Sequence, residues 1–159
     1  MTDNVSDSVV YLDTNVFIFF YEGNPAASEW TKTLFEVLRT RPGAGVTSDL
    51  TLAEVLAASE RPLGSMLKRA YLDLIVWSKF LDLAPVSREI LYESVDLRII
   101  HKSAHGRKLD LPDAIHLATA IQKGCRYFIS ADEGIKVPLG MERLSPLTTD
   151  LSEVTKVFA

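Results

Sequence analysis

One stretch near the N-terminus decides how the chain folds: Val9-Val10-Tyr11-Leu12-Asp13-Thr14-Asn15-Val16-Phe17-Ile18-Phe19-Phe20. It opens as a run of β-branched and aromatic residues, which predicts a short buried strand. Asp13 then interrupts the apolar run, and a carboxylate buried without a partner would cost several kcal/mol. The carboxyl end of a strand accommodates it better, because ligands bind at that edge of parallel α/β sheets. We therefore expect Asp13 to lie there.

Composition limits the class of protein. A chain of 159 residues fits one domain with a single core. Its 47% apolar and 24% charged residues match ordinary globular proteins, so disordered and fibrous classes are excluded. Cys125 is the only cysteine, which excludes an internal disulfide framework and suits a reducing compartment. No segment has the roughly 18 apolar residues of a membrane span, and the polar start, residues 1–8, is unlike a secretory signal. We expect a soluble, cytoplasmic protein.

The charge balance bears on possible partners. Lysine and arginine number 17 against 21 acidic residues, a formal net charge of −4. This argues against broad, non-specific binding of nucleic acid, which usually requires a basic surface. A nuclease is still compatible with it, since catalytic carboxylates themselves lower the net charge. Contact with nucleic acid would then be local, or completed by a bound cation.

Strand and helix patterns alternate along the chain. Helical spacing predicts helices over residues 26–40, 49–58, 63–80 and 87–101, from Leu111 to a stop at Gly124, and over 150–158. Short apolar runs predict further strands over residues 46–48, 81–86 and 126–129, with a last strand within 139–147. The alternation predicts an α/β fold: a central, mostly parallel sheet flanked by helices. We assign one domain to residues 9–147, an N-terminal tail to 1–8, and a C-terminal tail or short helix to 148–159.

Four carboxylates have ordinary explanations when each is considered alone. Asp113 lies in a first helical turn, where the helix dipole favours a negative charge. Glu54 completes Thr51-Leu52-Ala53-Glu54, which matches a capping box. Asp132 lies in a Ser-Ala-Asp-Glu-Gly turn, where Asp is common. Asp13 is the hardest of the four to explain in this way, because it interrupts an apolar run.

Considered together, the four acids indicate a metal site. Asp13 and Asp132 end predicted strands, while Glu54 and Asp113 lie near the starts of helices, so a parallel sheet would bring all four to one edge. Carboxylates at close range repel one another, and a divalent cation would relieve that repulsion. Oxygen ligands favour Mg²⁺ or Mn²⁺. Such a site suits phosphodiester hydrolysis, because the metal polarises a phosphoryl oxygen and activates water.

These residues carry a resemblance to a known family. The chain resembles the PIN-domain family of metal-dependent ribonucleases, especially the VapC-like toxins of bacterial and archaeal toxin–antitoxin pairs. The resemblance covers about Val9 to Leu147 and rests on four blocks in order: Tyr11–Asn15, Ser48–Glu54, Leu109–Ala120 and Phe128–Asp132. It implies a single PIN-like domain that cleaves RNA internally with Mg²⁺ or Mn²⁺. It also implies a cognate antitoxin protein and a homodimer as partners.

The resemblance also implies roles for individual residues. Asp13 and Asp113 would be the main metal ligands. Glu54 and Asp132 would hold metal-bound waters or a second ion, and Glu54 would help to activate the attacking water. The chain departs from the family after the fourth acid, where a basic residue and an aromatic often follow. Here Asp132 is followed by Glu133-Gly134-Ile135, which makes the fourth position the least secure.

Three further sets of residues are candidates. By resemblance, Asn15 and Ser130 would orient the site carboxylates. His116 lies one helical turn after Asp113 and would either touch substrate or a site carboxylate, or simply be a packed or solvent-edge histidine. A basic group in a predicted loop at 102–108 and on the preceding helix would either bind RNA phosphates or remain solvated. Its members are Arg98, Lys102, Arg107 and Lys108.

Two other functions compete with the nuclease. A non-catalytic PIN-like module that binds RNA or protein would have the same fold but no metal-dependent cleavage. The complete acidic set argues against it, because a lapsed site would be free to lose carboxylates that repel each other. An α/β nucleotide-binding domain is a poor alternative, since neither G-x-G-x-x-G nor the Walker A glycine loop is present.

Overall fold

A computed structural model describes residues 8–57 and 62–159. The strands are β1 (Val10–Leu12), β2 (Gly45–Ser48), β3 (Leu81–Ala84), β4 (Tyr127–Ile129) and β5 (Glu142–Leu144). The helices are α1 (Thr14–Glu22), α2 (Ser28–Arg39), α3 (Asp49–Ala57), α4 (Ser65–Leu72), α5 (Arg88–His105), α6 (Leu111–Gln122) and α7 (Leu151–Val157). A π-helical segment, Asp73–Trp77, continues α4. None of the helices described combines the length and apolar character required to cross a membrane.

The five strands form one parallel sheet in the order β3-β2-β1-β4-β5. This confirms the predicted α/β fold. The chain builds outward from β1 on one side and then returns to its other side through β4, so the strand order reverses beside β1. In open α/β sheets, ligands bind at the carboxyl ends of the strands next to such a reversal. Asp13 follows β1 and Ser130 follows β4 at that position.

The central strand buries different residues on its two faces. Val10 and Leu12 belong to a core cluster that includes residues of α1, α2, α4 and α7. Tyr11, which points the opposite way as strand alternation requires, packs in a second cluster with residues of α6 and β4. All three side chains are buried. Helices therefore cover both faces of the sheet, and the edge at the strand ends remains open.

The apolar residues after Asp13 form α1, a helix that our sequence analysis did not assign. Asp13 occupies the N-cap position, with an extended backbone and with Oδ1 accepting a hydrogen bond from the backbone N–H of Thr14 at 2.8 Å. Val16 and Phe17 are buried, and the Phe17 ring packs against Phe35 of α2. Tertiary packing and the Asp13 cap thus override the strand propensity of this β-branched and aromatic run.

The helix predicted over residues 63–80 was too long and too regular. The α-helix covers Ser65–Leu72, a π-helical segment follows, and the chain reverses toward β3 at Lys79, whose φ is +64°. Tyr71 and Leu74 of this segment are buried in the core.

The loop predicted over residues 102–108 was also placed incorrectly. α5 continues to His105, one turn beyond the predicted end, so Lys102 is helical. Gly106 ends the helix in the left-handed conformation, and its N–H donates to the carbonyl of Lys102 at 2.8 Å. The charged residues of this turn were taken to indicate a loop, but the helix ends only at Gly106.

Candidate active site

A cleft of about 430 Å³ opens at the carboxyl edge of the sheet beside β1. The four acids that the sequence predicted all line it: Asp13, Glu54, Asp113 and Asp132. They come from four separate places, namely the end of β1, helix α3, the first turn of α6 and the loop after β4. The parallel sheet therefore does bring these distant carboxylates to one cleft.

Asp13 is the anchored acid of the cleft. Its side chain is 5% exposed, and its Oδ2 accepts hydrogen bonds from Ser130 Oγ at 2.6 Å and from Asn15 Nδ2 at 3.3 Å. The bond from Thr14 N–H adds a third donor on Oδ1. These donors compensate for the removal of the charge from water. Asn15 and Ser130 thus contact the carboxylate that they were predicted to orient.

Ser130 also connects Asp13 to the loop that carries Asp132. Its Oγ accepts the backbone N–H of Asp132 at 3.0 Å while donating to Asp13. Asp132 Oδ1 in turn accepts the N–H of Gly134 at 2.8 Å, which closes a tight turn. Asn15 steadies the same loop by accepting the N–H of Ala131 at 3.1 Å. The turn therefore holds Asp132 at the cleft despite the unusual residues that follow it.

The pKa of Asp113 indicates an excess of negative charge in the cleft. Burial raises the pKa of its carboxyl first, and the charges of Asp13 and Asp132 raise it further, to about 6. His116 acts in the opposite direction but only partly offsets these effects. Asp113 lies in the first turn of α6, and its side chain lines the cleft. The cleft therefore favours the binding of a cation.

His116 lies buried behind the cleft, in contact with two of the acids that line it. The side chain is 1% exposed, with Nε2 at 2.5 Å from Glu54 Oε1 and 3.6 Å from Asp13 Oδ1. Its Nδ1 lies 2.6 Å from the hydroxyl of buried Tyr11. The histidine is thus both packed and in contact with site carboxylates. It ties α6 to β1 and α3.

The contact with His116 determines the protonation of Glu54. Burial by itself would raise the pKa of Glu54, but the hydrogen bond and the charge of His116, with a further bond from Thr14, leave it lowered. Burial by itself would lower the pKa of His116, yet Glu54 and Asp13 leave it raised. The pair therefore favours an ionised Glu54 facing a protonated His116.

The capping-box interpretation of Thr51 and Glu54 is wrong. The hydroxyl of Ser48 accepts the N–H of Leu50 at the start of α3, while the Glu54 carboxylate turns to His116. Thr51 instead contacts the Thr47 hydroxyl at 2.7 Å within the buried interior.

Sequence analysis missed the threonines of the site. The Thr14 hydroxyl donates to Glu54 Oε1 at 2.8 Å and thereby links α1 to α3. Thr47 donates to the carbonyl of Leu12 at 2.8 Å, just before Asp13. Thr14 could have been suspected from its position next to Asp13. Nothing in the local pattern singles out Thr47, because its partner is 35 residues away.

The residues of the cleft fit a divalent cation in chemistry. Four carboxylates provide the oxygen ligands that Mg²⁺ and Mn²⁺ prefer, and the raised pKa of Asp113 reflects charge that a cation would neutralise. Within residues 8–57 and 62–159, no three His, Cys, Asp or Glu side chains already stand in a metal-binding arrangement. Asp13 is fixed, whereas Glu54, Asp113 and Asp132 are partly exposed. Asp13 and Asp113 would hold such a cation, with Glu54 and Asp132 beside them in the cleft.

The basic residues predicted to hold RNA do not line this cleft. Arg98 donates through Nε to the carbonyl of Leu109 at 2.8 Å, which fixes the loop before α6. Lys102 and Lys108 line a second, separate groove next to Arg98. Arg107 instead lies against Gly134 in the loop of Asp132. The structure thus divides the basic group into different locations.

Comparison with protein families agrees with this geometry. The sequence model of the family described as "PIN domain" matches residues 10–138, which include all four acids. None of the curated proteins matches the chain.

Several solved structures have a fold similar to that of this chain. The toxin–antitoxin complex from Klebsiella pneumoniae has a TM-score of 0.60 at 24% identity, covering 87% of this chain and 98% of its own. DNA-bound VapBC from Salmonella typhimurium has a TM-score of 0.63 at 17% identity, covering 87% and 98%. The sarcin–ricin-loop-cleaving toxin VapC20 of Mycobacterium tuberculosis has a TM-score of 0.60 at 18% identity, covering 75% and 86%. At these low identities, it is the TM-scores that show a similar fold.

Proposed function

Because the chain belongs to the PIN domain family, we propose that it is an endoribonuclease that depends on Mg²⁺ or Mn²⁺ and hydrolyses RNA phosphodiester bonds. The observation that carries the proposal is the cleft in which Asp13, Glu54, Asp113 and Asp132 meet. The pKa of Asp113, raised to about 6 by burial and by the neighbouring carboxylates, supports a site built for a cation.

The four acids divide the work. Asp13, held by Ser130 and Asn15, and Asp113 on α6 would hold the metal, and Asp132 would hold metal-bound water or a second ion. A bound divalent cation polarises a phosphoryl oxygen and lowers the pKa of its water. Glu54 is kept ionised by His116 and Thr14, so its carboxylate is available to accept a proton from the attacking water.

We further propose that the protein acts as the toxin of a toxin–antitoxin pair. The solved structure from Klebsiella pneumoniae is described as a toxin–antitoxin complex, and VapC20 is described as a toxin that cleaves the sarcin–ricin loop. A cognate antitoxin would inhibit the enzyme by blocking or distorting the acidic cleft. The setting would be the cytoplasm, which suits an unpaired, buried Cys125.

We also propose a homodimer that uses the outer face of α5. Four apolar side chains are exposed there, with exposures from 43% to 70%: Leu91, Tyr92, Val95 and Ile99. They follow helical spacing and lie opposite the buried stripe that includes Ile90 and His101. A second copy would remove this apolar surface from water.

The test of the activity is cleavage of a mixed pool of structured RNAs by the purified protein with Mg²⁺, with Mn²⁺ and with EDTA. Asp13→Asn removes the anchored charge with little change of shape, and we expect it to abolish cleavage. Asp73→Asn, at an exposed residue paired with Arg69, is the matched control and should remain active. Metal-independent cleavage, or full activity of Asp13→Asn, would contradict the proposal. RNA binding without cleavage by the unsubstituted protein would favour a non-catalytic binding module.

A further inference from the structure

Arg107 lies directly on Gly134, in the loop that carries Asp132. A Cβ placed on Gly134 would meet Arg107 Nη1 at 1.8 Å and Cζ at 2.5 Å. The φ of Gly134 is not in the left-handed region, so its backbone does not require glycine. Glycine is required at this position for a different reason: the Arg107 guanidinium occupies the space that a methyl group would fill.

The guanidinium lies near Asp132 without neutralising it. Gly134 N–H donates to Asp132 Oδ1 at 2.8 Å, and adding the intervening bonds to the 1.8 Å contact places Nη1 within about 8 Å of that oxygen. Among residues 8–57 and 62–159, the ion pairs do not include Arg107. Arg107 is therefore a cation beside the acidic cleft that forms no ion pair with the described residues.

A buried histidine holds the Arg107 loop against the Asp132 loop. His101 is 4% exposed, and its Nδ1 donates to the carbonyl of Arg107 at 2.5 Å. The backbone N–H of Lys136 donates to Nε2 of the same ring at 3.1 Å. Because a carbonyl only accepts and an N–H only donates, these two bonds require the neutral ring with its proton on Nδ1. One imidazole thus fixes both loops.

We propose that Arg107 binds a phosphate of the RNA strand at the Asp132 end of the cleft, and that His101 is the residue that positions it. The inference rests on the proposed ribonuclease activity. A carboxylate cleft repels a polyanion, so substrate needs a cation at its rim. A guanidinium provides donors that match phosphate oxygens in pairs. Arg107 contacts the Asp132 loop, whereas Lys102 and Lys108 line the other groove.

The test measures RNA affinity in Asp13→Asn protein, so that binding is separated from cleavage. The probe is a fluorescein-labelled single-stranded oligoribonucleotide, followed by anisotropy at several salt concentrations. Arg107→Ala should weaken binding about five- to tenfold at low salt and reduce the salt slope by about 0.7, as expected for one lost phosphate contact. Arg126→Ala removes the same charge from the opposite edge of the sheet, before β4, and should change affinity less than twofold.

Gly134→Ala tests the position of the side chain rather than its charge. The new methyl group displaces the flexible end of Arg107 and should weaken binding two- to fivefold without loss of folding. In the Arg107→Ala background it should have no further effect. His101→Gln keeps one donor and one acceptor for the two loops and should bind better than His101→Leu, with melting temperatures measured for both.

Several outcomes would overturn the inference while leaving the ribonuclease intact. Equal losses from Arg107→Ala and Arg126→Ala would mean that only net charge matters. A further loss of affinity from Gly134→Ala in the Arg107→Ala background would show that Gly134 does not act through Arg107. Equal RNA affinity of the two His101 variants would show that His101 does not position Arg107. Absence of both RNA binding and cleavage by the unsubstituted protein would instead overturn the proposed function, and this inference with it.

Discussion

Nε2 of His116 lies 2.5 Å from Oε1 of Glu54, although the two residues are 62 positions apart in the chain. The other ring nitrogen lies 2.6 Å from the hydroxyl of Tyr11, so a single imidazole connects the buried central strand to a carboxylate of the cleft. Glu54 is therefore held by the core as well as by its own helix.

Tyr11→Phe should destabilise the protein by about 1–3 kcal/mol, because it leaves a buried ring nitrogen of His116 without its partner. The aromatic ring, stacked on Phe128 at 5.2 Å between centroids, would remain in place. Urea denaturation in EDTA measures the free energy of unfolding. Tyr92→Phe, at a residue 70% exposed, is the control and should change it by less than about 0.5 kcal/mol. Equal stability of Tyr11→Phe and the unsubstituted protein would contradict the arrangement.

His116→Leu should lower kcat for RNA cleavage about 10- to 100-fold with little change in KM, since residues that orient metal-binding groups commonly contribute that much. The substitution leaves Glu54 with Thr14 as its remaining side-chain donor. His116→Gln, which retains an N–H donor, should recover part of the loss. Single-turnover kinetics and calorimetric Mn²⁺ binding provide the measurements. An equal loss in both variants would show that the hydrogen bond to Glu54 is not what matters.

Asp113 should make the stability of the metal-free protein fall as pH rises from about 4 to 6. Its pKa is raised from 3.8 to about 6, so in that window the folded state binds more protons than the unfolded state. Asp113→Asn should therefore be more stable than the unsubstituted protein at pH 7 in EDTA, by about 1 kcal/mol after allowance for solvent screening. At pH 4 the two should be equal.

Thermal unfolding at a series of pH values checks this prediction. The raised pKa of His116 also makes stability fall with pH, but only above its ordinary value of 6.5, so the two windows are separable. Addition of Mg²⁺ should stabilise the unsubstituted protein more than Asp113→Asn. Parallel pH profiles for the two proteins would be incompatible with the excess charge inferred at the cleft.

Val95→Asp should convert a dimer into a monomer, because it places a charge in the centre of the exposed apolar face of α5. Size-exclusion chromatography with light scattering measures the mass directly. Met66→Asp alters an even more exposed apolar residue, at 88%, outside that face and should leave the mass unchanged. A monomeric unsubstituted protein at micromolar concentration would refute the proposed dimer.

Much of the fold was predictable because it depends on local patterns. The strand that ends at Asp13 and the helix that begins at Leu111 were recognised from apolar runs and a proline in the first turn. The errors occurred where local composition and tertiary packing disagree. The run after Asp13 has strand-like residues but is helical, and the charged turn around Lys102 belongs to α5.

The sequence by itself determined the α/β class and singled out the four acids as candidates, because strand–helix alternation and carboxylates at strand ends or helix starts are features of consecutive residues. Only the tertiary structure decided which distant groups meet them. The bond from His116 to Glu54 and the packing of Arg107 on Gly134 join elements far apart in the chain. No periodicity encodes such pairs, since each depends on how a helix or loop is placed over the edge of the sheet.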